Sequence, residues 1–304
     1  MLVPTLTLYA ALLVIFSALL HAGWNILGKS NTGSGYSFTL GASIAPLILL
    51  SPYIIWCISV IGFDSLDGYF WLLVTLSGIG QAIYLIGLIK AYDAGDIGVI
   101  YPIARALPVL MVGIGTVFIG QSLSPNAWIG FVVLTLGCLL IPMRHIKDLR
   151  LGSYLNLGVF WSCIAAIGTT IYSIIDKQAL TWLQLETSGL TKVQVAIFYL
   201  GVQFAAIAFV LVAWLLATNK RSELALTWQH RYRSSIAGIM MGLTYGIVLY
   251  AMTMVDNVSY VVAMRQVSIV FGLLMGIWFL NEKWLYTRGI GVTLVLIGLV
   301  VALT

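Results

Sequence analysis

The chain alternates between long apolar blocks and short polar breaks. The blocks lie near residues 5–29, 36–61, 69–91, 97–120, 126–143, 154–177, 193–217, 234–254, 258–280 and 285–303. Turn formers make up the breaks: Asn31-Thr32-Gly33-Ser34-Gly35, Asp64-Ser65-Leu66-Asp67-Gly68, Asp93-Ala94-Gly95-Asp96, Ser122-Leu123-Ser124-Pro125-Asn126 and Asp256-Asn257. An apolar helix needs about 20 residues to cross roughly 30 Å of hydrocarbon, so the spacing predicts ten transmembrane helices. Helices are required because unpaired backbone amides are costly in lipid, and the blocks are too long for barrel strands. The expected fold class is all-α, a polytopic membrane protein. Only the breaks at 144–153 and 218–233 are long and charged, which leaves no room for an extramembrane domain. The first block has no basic residue before it and no small-residue cleavage motif after it, so it reads as a retained span and not as a signal peptide.

Composition agrees: 61% of residues are apolar, 8% are charged, and mean hydropathy is +1.04. Ordinary globular proteins carry roughly 25% charged residues, so a soluble, disordered, collagenous or coiled-coil protein is excluded. The net charge of +5 forms no basic face for nucleic acid; it sits in the breaks and reads as a topology signal. Eleven basic residues follow odd-numbered blocks: Lys29, Lys90, Arg144, Lys147, Arg150, Lys220, Arg221, Arg231, Arg233, Lys283 and Arg288. Only Lys177 and Lys192 lie on the other side. Because Lys and Arg are retained in the cytoplasm, both chain ends are expected outside it. Cys57, Cys138 and Cys163 fall inside apolar blocks with no pairing or ligand spacing, and read as packing residues.

The two halves can be laid over each other. An offset of 160 pairs Gly78 with Gly238, Ile79 with Ile239, Ala91 with Ala251, Asp96 with Asp256 and Arg105 with Arg265; at 161, Ile129-Gly130 pairs with Ile290-Gly291 and Gly137 with Gly298. Five spans is an odd number, so the second unit must enter inverted. The expected organisation is a first five-helix repeat over 5–143, a basic connecting loop over 144–153 and a second five-helix repeat over 154–303.

Charges inside spans are the candidates for function. An Arg at the centre of a membrane helix costs roughly 2.5–3.5 kcal/mol on insertion scales. Arg105 lies about 12 Å into its helix at about 1.5 Å per residue, and Arg265 is similarly deep from the other face, so the pair is expected to converge near the midplane. The competing reading has each Arg snorkelling, or serving carbonyls freed by Pro102 and Pro108. Ser17, His21, Trp24, Asn25 and Gly28 share one face of the first helix, and Thr169, Tyr172, Ser173 and Asp176 answer them on the sixth. Ser77, Gln81 and Tyr84 line one face of the third, Tyr199 and Gln203 one face of the seventh, and Tyr101 stands one turn before Arg105. His21 has an unperturbed pKa near neutrality and is the proton-coupling candidate. Gly238, Gly242 and Gly246, like Gly272 and Gly276, read as close-packing faces. No carboxylate is expected in mid-span: Asp96, Asp176, Asp256 and Glu282 are placed at span ends. Exchange of protons for lipophilic cations is therefore disfavoured. Two arginines with hydroxyls and aromatic faces suit an anionic or zwitterionic solute.

HExxH, GxSxG, the P-loop and paired Asp-rich boxes are all absent. The stretches His21-Ala22-Gly23-Trp24-Asn25-Ile26-Leu27-Gly28-Lys29 and Ala91-Tyr92-Asp93-Ala94-Gly95-Asp96-Ile97-Gly98-Val99-Ile100-Tyr101-Pro102-Ile103-Ala104-Arg105, with the duplicated ten-span plan, resemble the EamA-type ten-span branch of the drug/metabolite transporter superfamily. That family's glycine-acid pair is degraded here to Gly120-Gln121, and is partly kept as Asn281-Glu282. The resemblance implies a secondary carrier of the bacterial plasma membrane, often an exporter, with its cavity between the repeats. The expected substrate-binding set is Arg105, Arg265, His21, Trp24, Asn25, Gln81, Tyr84, Tyr101, Tyr172 and Ser173. No catalytic residue, metal or cofactor is expected. The expected partners are a small solute and the bilayer, with the chain acting as a monomer or homodimer. A membrane-embedded enzyme and a non-transporting scaffold subunit stay open as alternatives.

Overall fold

A backbone in hydrocarbon finds no water to bond, and the computed structural model of the chain answers with helices throughout its described residues. The structure describes residues 7–28, 34–94, 97–141, 143, 156–187, 189–280 and 284–304. In order these are α1 (Leu8–Gly28), α2 (Gly35–Ile61), α3 (Gly68–Ala94), α4 (Ile97–Phe118), α5 (Pro125–Leu140), α6 (Leu157–Glu186), α7 (Lys192–Ala217), α8 (Ser222–Gln229), α9 (Arg231–Met252), α10 (Val258–Arg265), α11 (Val267–Leu280) and α12 (Tyr286–Leu303), with a 3-10 turn at Phe63–Ser65. Among the described residues seven segments are long and apolar enough to cross a membrane: α2, α3, α6, α7, α9, Val258–Met275 and α12. The remaining predicted spans, the first, fourth and fifth, hold the shorter apolar stretches Leu8–Ala22, Ile103–Phe118 and Pro125–Leu140.

Polarity runs opposite to that of a soluble protein. Ser77, Ser173, Asp176, Gln203 and Ser259 are fully buried, while Phe118, Phe209 and Trp278 are largely exposed. A surface of this kind requires lipid, not water, as its solvent. Helix starts are marked by side-chain caps: Ser124 accepts from Ala127 N, Asn156 from Val159 N and Asn257 from Ser259 N, and Thr191 and Gln194 form a reciprocal capping box.

Three boundaries differ from the sequence reading. The sixth span, expected to end at 177, continues to Glu186. Its apolar face is carried on by Ala179, Leu180 and Leu183, all fully buried, so Asp176 and Lys177 interrupt the hydropathy without ending the helix. The ninth span is not continuous. It breaks at Gln266, where Gln266 N bonds Ala263 O and Ile269 N bonds Gln266 O, both i to i+3. There the Gln266 amide donates back to Val262 O at 3.1 Å, and a side chain competing for ladder carbonyls kinks a helix. The basic break at 218–233 contains the short helix α8.

In the packing α3 lies along α6 and α1 along α9; α4 meets α6, and α1 meets α10 and α11; α2 meets α9, and α3 meets α7. The pairs α5 with α12, α2 with α7, and α4 with α10 also touch. Glycines permit the closest crossings. A Cβ on Gly168 of α6 would lie 2.5 Å from Tyr84 N and 2.7 Å from Gly80 O. One on Gly80 would lie 3.0 Å from Tyr172 N, so α3 and α6 touch backbone to backbone beside both tyrosines. Gly137 and Gly291 bring α5 onto α12 in the same way, and Gly238 and Gly242 bring α9 against Ala42 and Pro46 of α2. Gly272, expected to be a packing glycine, has open space where a Cβ would stand, and the side chain position of Gly276 lies outside the described residues.

Candidate functional site

The α3–α6 contact sets Tyr84 and Tyr172 edge to face, with ring centroids 6.0 Å apart. Arg105 reaches the same place from α4, and Arg265 from the last turn of α10. A small cavity is lined by Tyr84, Ala104, Arg105, Pro108, Thr169, Tyr172, Val262, Arg265 and Gln266. Its free volume of about 20 Å³ holds about one water. A larger solute therefore needs the lining helices to part. Arg105 Nη2 donates to Ser268 Oγ at 2.5 Å, which ties α4 to the start of α11. The Arg265 guanidinium lies over the Tyr245 ring, 5.3 Å from its centroid, within the range of a cation–π contact. His21 is half-buried on α1, the helix that packs against α10 and α11. Gln266 is buried, and its Oε1 has no hydrogen-bond partner. No Asp or Glu is among the lining residues. The chamber is thus cationic, hydroxyl-bearing and aromatic, which suits anionic oxygens.

One turn further along α6 lies a second polar centre. Asp176 is fully buried. Its Oδ1 accepts from Ser77 Oγ at 2.5 Å, Tyr199 OH at 2.8 Å and Gln203 Nε2 at 2.8 Å. Its Oδ2 accepts from Gln203 Nε2 at 2.7 Å and from Tyr245 OH. Asp176 sits ten residues before Glu186, and Ser77 nine residues after Gly68. At about 1.5 Å per residue both are roughly 14–15 Å from their helix ends, near the middle of a bilayer. The expectation that no carboxylate lies in mid-span is therefore corrected. Lys177 beside it suggested a span end, but its Nζ turns away to Met252 O at 3.1 Å while the helix continues.

The cavity joins four of the predicted residues, Arg105, Arg265, Tyr84 and Tyr172, and His21 is not among its lining residues. Gln81 and Ser173 are buried but do not line it. Ser77, Tyr199 and Gln203, read as further cavity lining, serve Asp176 instead. The side chains of Trp24, Asn25 and Tyr101, and residues 144–153, Asp96 and Glu282, lie outside the described residues. Sequence reasoning missed Tyr245 and Gln266. The first lies in Gly242-Leu243-Thr244-Tyr245-Gly246, whose glycines drew attention to packing alone, and the second adjoins Arg265.

Neither a family model nor a curated protein matches the chain. Among solved structures 26 chains match. One, described only as "Crystal structure of protein", superposes with a TM-score of 0.65 over 97% of this chain and 96% of its own, at 15% identity. That likeness establishes a shared fold and nothing about activity.

Proposed function

We propose that the protein is a secondary transporter, an exporter of a small metabolite such as an amino acid, organic anion or zwitterion; the EamA-type ten-span branch of the drug/metabolite transporter superfamily is the group its sequence resembles. The observation that carries this reading is the meeting of Arg105 and Arg265, from sequence-matched positions, at one polar cavity near mid-membrane. The cavity is too small for a solute as it stands, which fits a carrier whose helices rock open to one side and then the other. The break at Gln266 gives the α10–α11 segment a point at which to bend.

The ten-span inverted repeat is part of the proposal, and the packing supports it. Exchanging α1 with α6, α2 with α7, α3 with α9, α4 with α10–α11 and α5 with α12 turns each of the contacts named above into another that is present: α3–α6 becomes α9–α1, α2–α9 becomes α7–α3, and α4–α6 becomes α1–α10 and α1–α11. Gly137 and Gly291, from the two matched glycine pairs of the sequence, meet at the α5–α12 crossing, as do Gly130 and Gly298. The loop charges support an orientation with both ends extracytoplasmic, and a bacterial plasma-membrane carrier is what the family resemblance implies.

Thermal shift against amino acids, organic acids and phosphorylated metabolites identifies the solute, since binding raises the melting temperature. In proteoliposomes Arg105→Ala or Arg265→Ala is expected to abolish its flux while the purified protein stays folded. Normal flux in both variants would remove the arginines from the mechanism.

A further inference from the structure

The transport reading leaves Asp176 without a task, although it is the carboxylate buried most deeply among the described residues. Each of its contacts is a hydrogen donor: the hydroxyls of Ser77, Tyr199 and Tyr245 and the amide of Gln203. That set satisfies an ionised carboxylate, which only accepts. A metal ion would need lone pairs where these hydrogens point. A proton needs one acceptor for the new O–H, and the knot contains it. Gln203 Oε1 is buried without a partner, on the same amide whose Nε2 serves both carboxylate oxygens. Turning that amide over exchanges a donor for an acceptor, so the same side chains can satisfy Asp176 with or without a proton.

The knot is also joined to the chamber. Tyr245 donates its hydroxyl to Asp176 Oδ2 and presents its ring face to Arg265. Tyr172 lies edge to face with Tyr245 at 5.9 Å and lines the cavity on its other side. The titratable and charged groups around Asp176 are few. α3 contributes none at the carboxylate, α7 contributes Tyr199 and α9 Tyr245. Arg265 of α10 and Arg105 of α4 stand beyond Tyr245 and Tyr172. On α6 itself, Tyr172 is one turn away and Lys177 faces Met252 O.

We propose that Asp176 is the proton-binding site of this carrier, and that Tyr245 couples it to the arginine chamber. When an anion engages Arg265, the guanidinium releases the Tyr245 ring, and the hydroxyl leaves Oδ2. The carboxylate then takes one proton from the water on the open side, Asp–COO⁻ plus H⁺ giving Asp–COOH. Anion and proton bind in each other's favour, as reciprocal coupling requires, and so travel together. The proton site rests on the knot's own geometry, and only its link to a solute rests on the carrier reading; the test therefore reads protonation directly, with no solute present.

The full chain in liposomes is titrated with acid and followed by infrared difference spectroscopy. Wild type is expected to develop the C=O band of a buried carboxylic acid, and Asp176→Asn to lack it. Tyr245→Phe keeps the ring and removes one donor to the ionised form, so the band is expected about one pH unit or more less acid than in wild type. Arg265→Gln imitates neutralisation by an anion and is expected to move the band in the same direction, by about one pH unit. Identical spectra for wild type and Asp176→Asn overturn the site. If Asp176→Asn does not fold, an unmoved band in Tyr245→Phe overturns it instead. An unmoved band in Arg265→Gln overturns the coupling. None of these results depends on the flux assay, so a failed carrier reading remains distinguishable.

Discussion

The arginine chamber and the Asp176 knot are neighbours on α6, where Tyr172 lines the first and Asp176 centres the second one turn later, yet they treat polarity in opposite ways. In the chamber two cations and two tyrosines line a small void with no carboxylate among its lining residues. In the knot one carboxylate accepts five hydrogen bonds from groups on three other helices. An ionised carboxylate offers about four lone-pair sites, so this one is saturated. The contrast separates two uses of a costly intramembrane charge: one faces a void that a ligand can enter, the other is held by donors from neighbouring helices until a proton takes the place of one of them.

Removing the anion is expected to have the largest effect on stability. Asp176→Ala leaves three hydroxyls and an amide buried without their acceptor, and should cost about 3–5 kcal/mol, read from detergent-induced unfolding of the purified protein. A loss under about 1 kcal/mol would erase the distinction between the two regions. Next comes the seam that sets them side by side. Gly168→Val forces a side chain into the backbone of α3 and is expected to cost about 1–3 kcal/mol in the same assay; unchanged stability would show that Tyr84 and Tyr172 are not held by that crossing. The smallest effect belongs to Ser173, buried between chamber and knot with its hydroxyl unpartnered. Ser173→Ala should leave stability within about 0.5 kcal/mol of wild type, and a larger loss would place Ser173 inside the knot.

The helical blocks were legible because lipid imposes a length and an apolar composition that a single sequence displays. Arg105 and Arg265 were legible because arginine is rare in such blocks, and because their matched positions predicted convergence. Asp176 was misplaced for a local reason. Lys177 follows it, and a charged pair resembles a helix end unless Ala179, Leu180 and Leu183 are seen to continue the same face. Tyr245 was hidden by its type, since tyrosines are common in membrane helices and only the fold shows that one ring faces Arg265 while its hydroxyl reaches Asp176. The break at Gln266 depends on one amide bonding Val262 O, a choice that hydropathy does not register.

The knot also constrains the order in which the protein can be completed at the ribosome. Ser77 emerges early on α3, Asp176 follows on α6, Tyr199 and Gln203 on α7, and Tyr245 only on α9. Synthesis runs from the N-terminus, so the nascent chain must hold an acid in the translocon's surroundings before its last donor has been translated. A message that stops short of α9 yields a polypeptide with that acid underserved, and gives quality-control proteases a defect to recognise deep in the membrane.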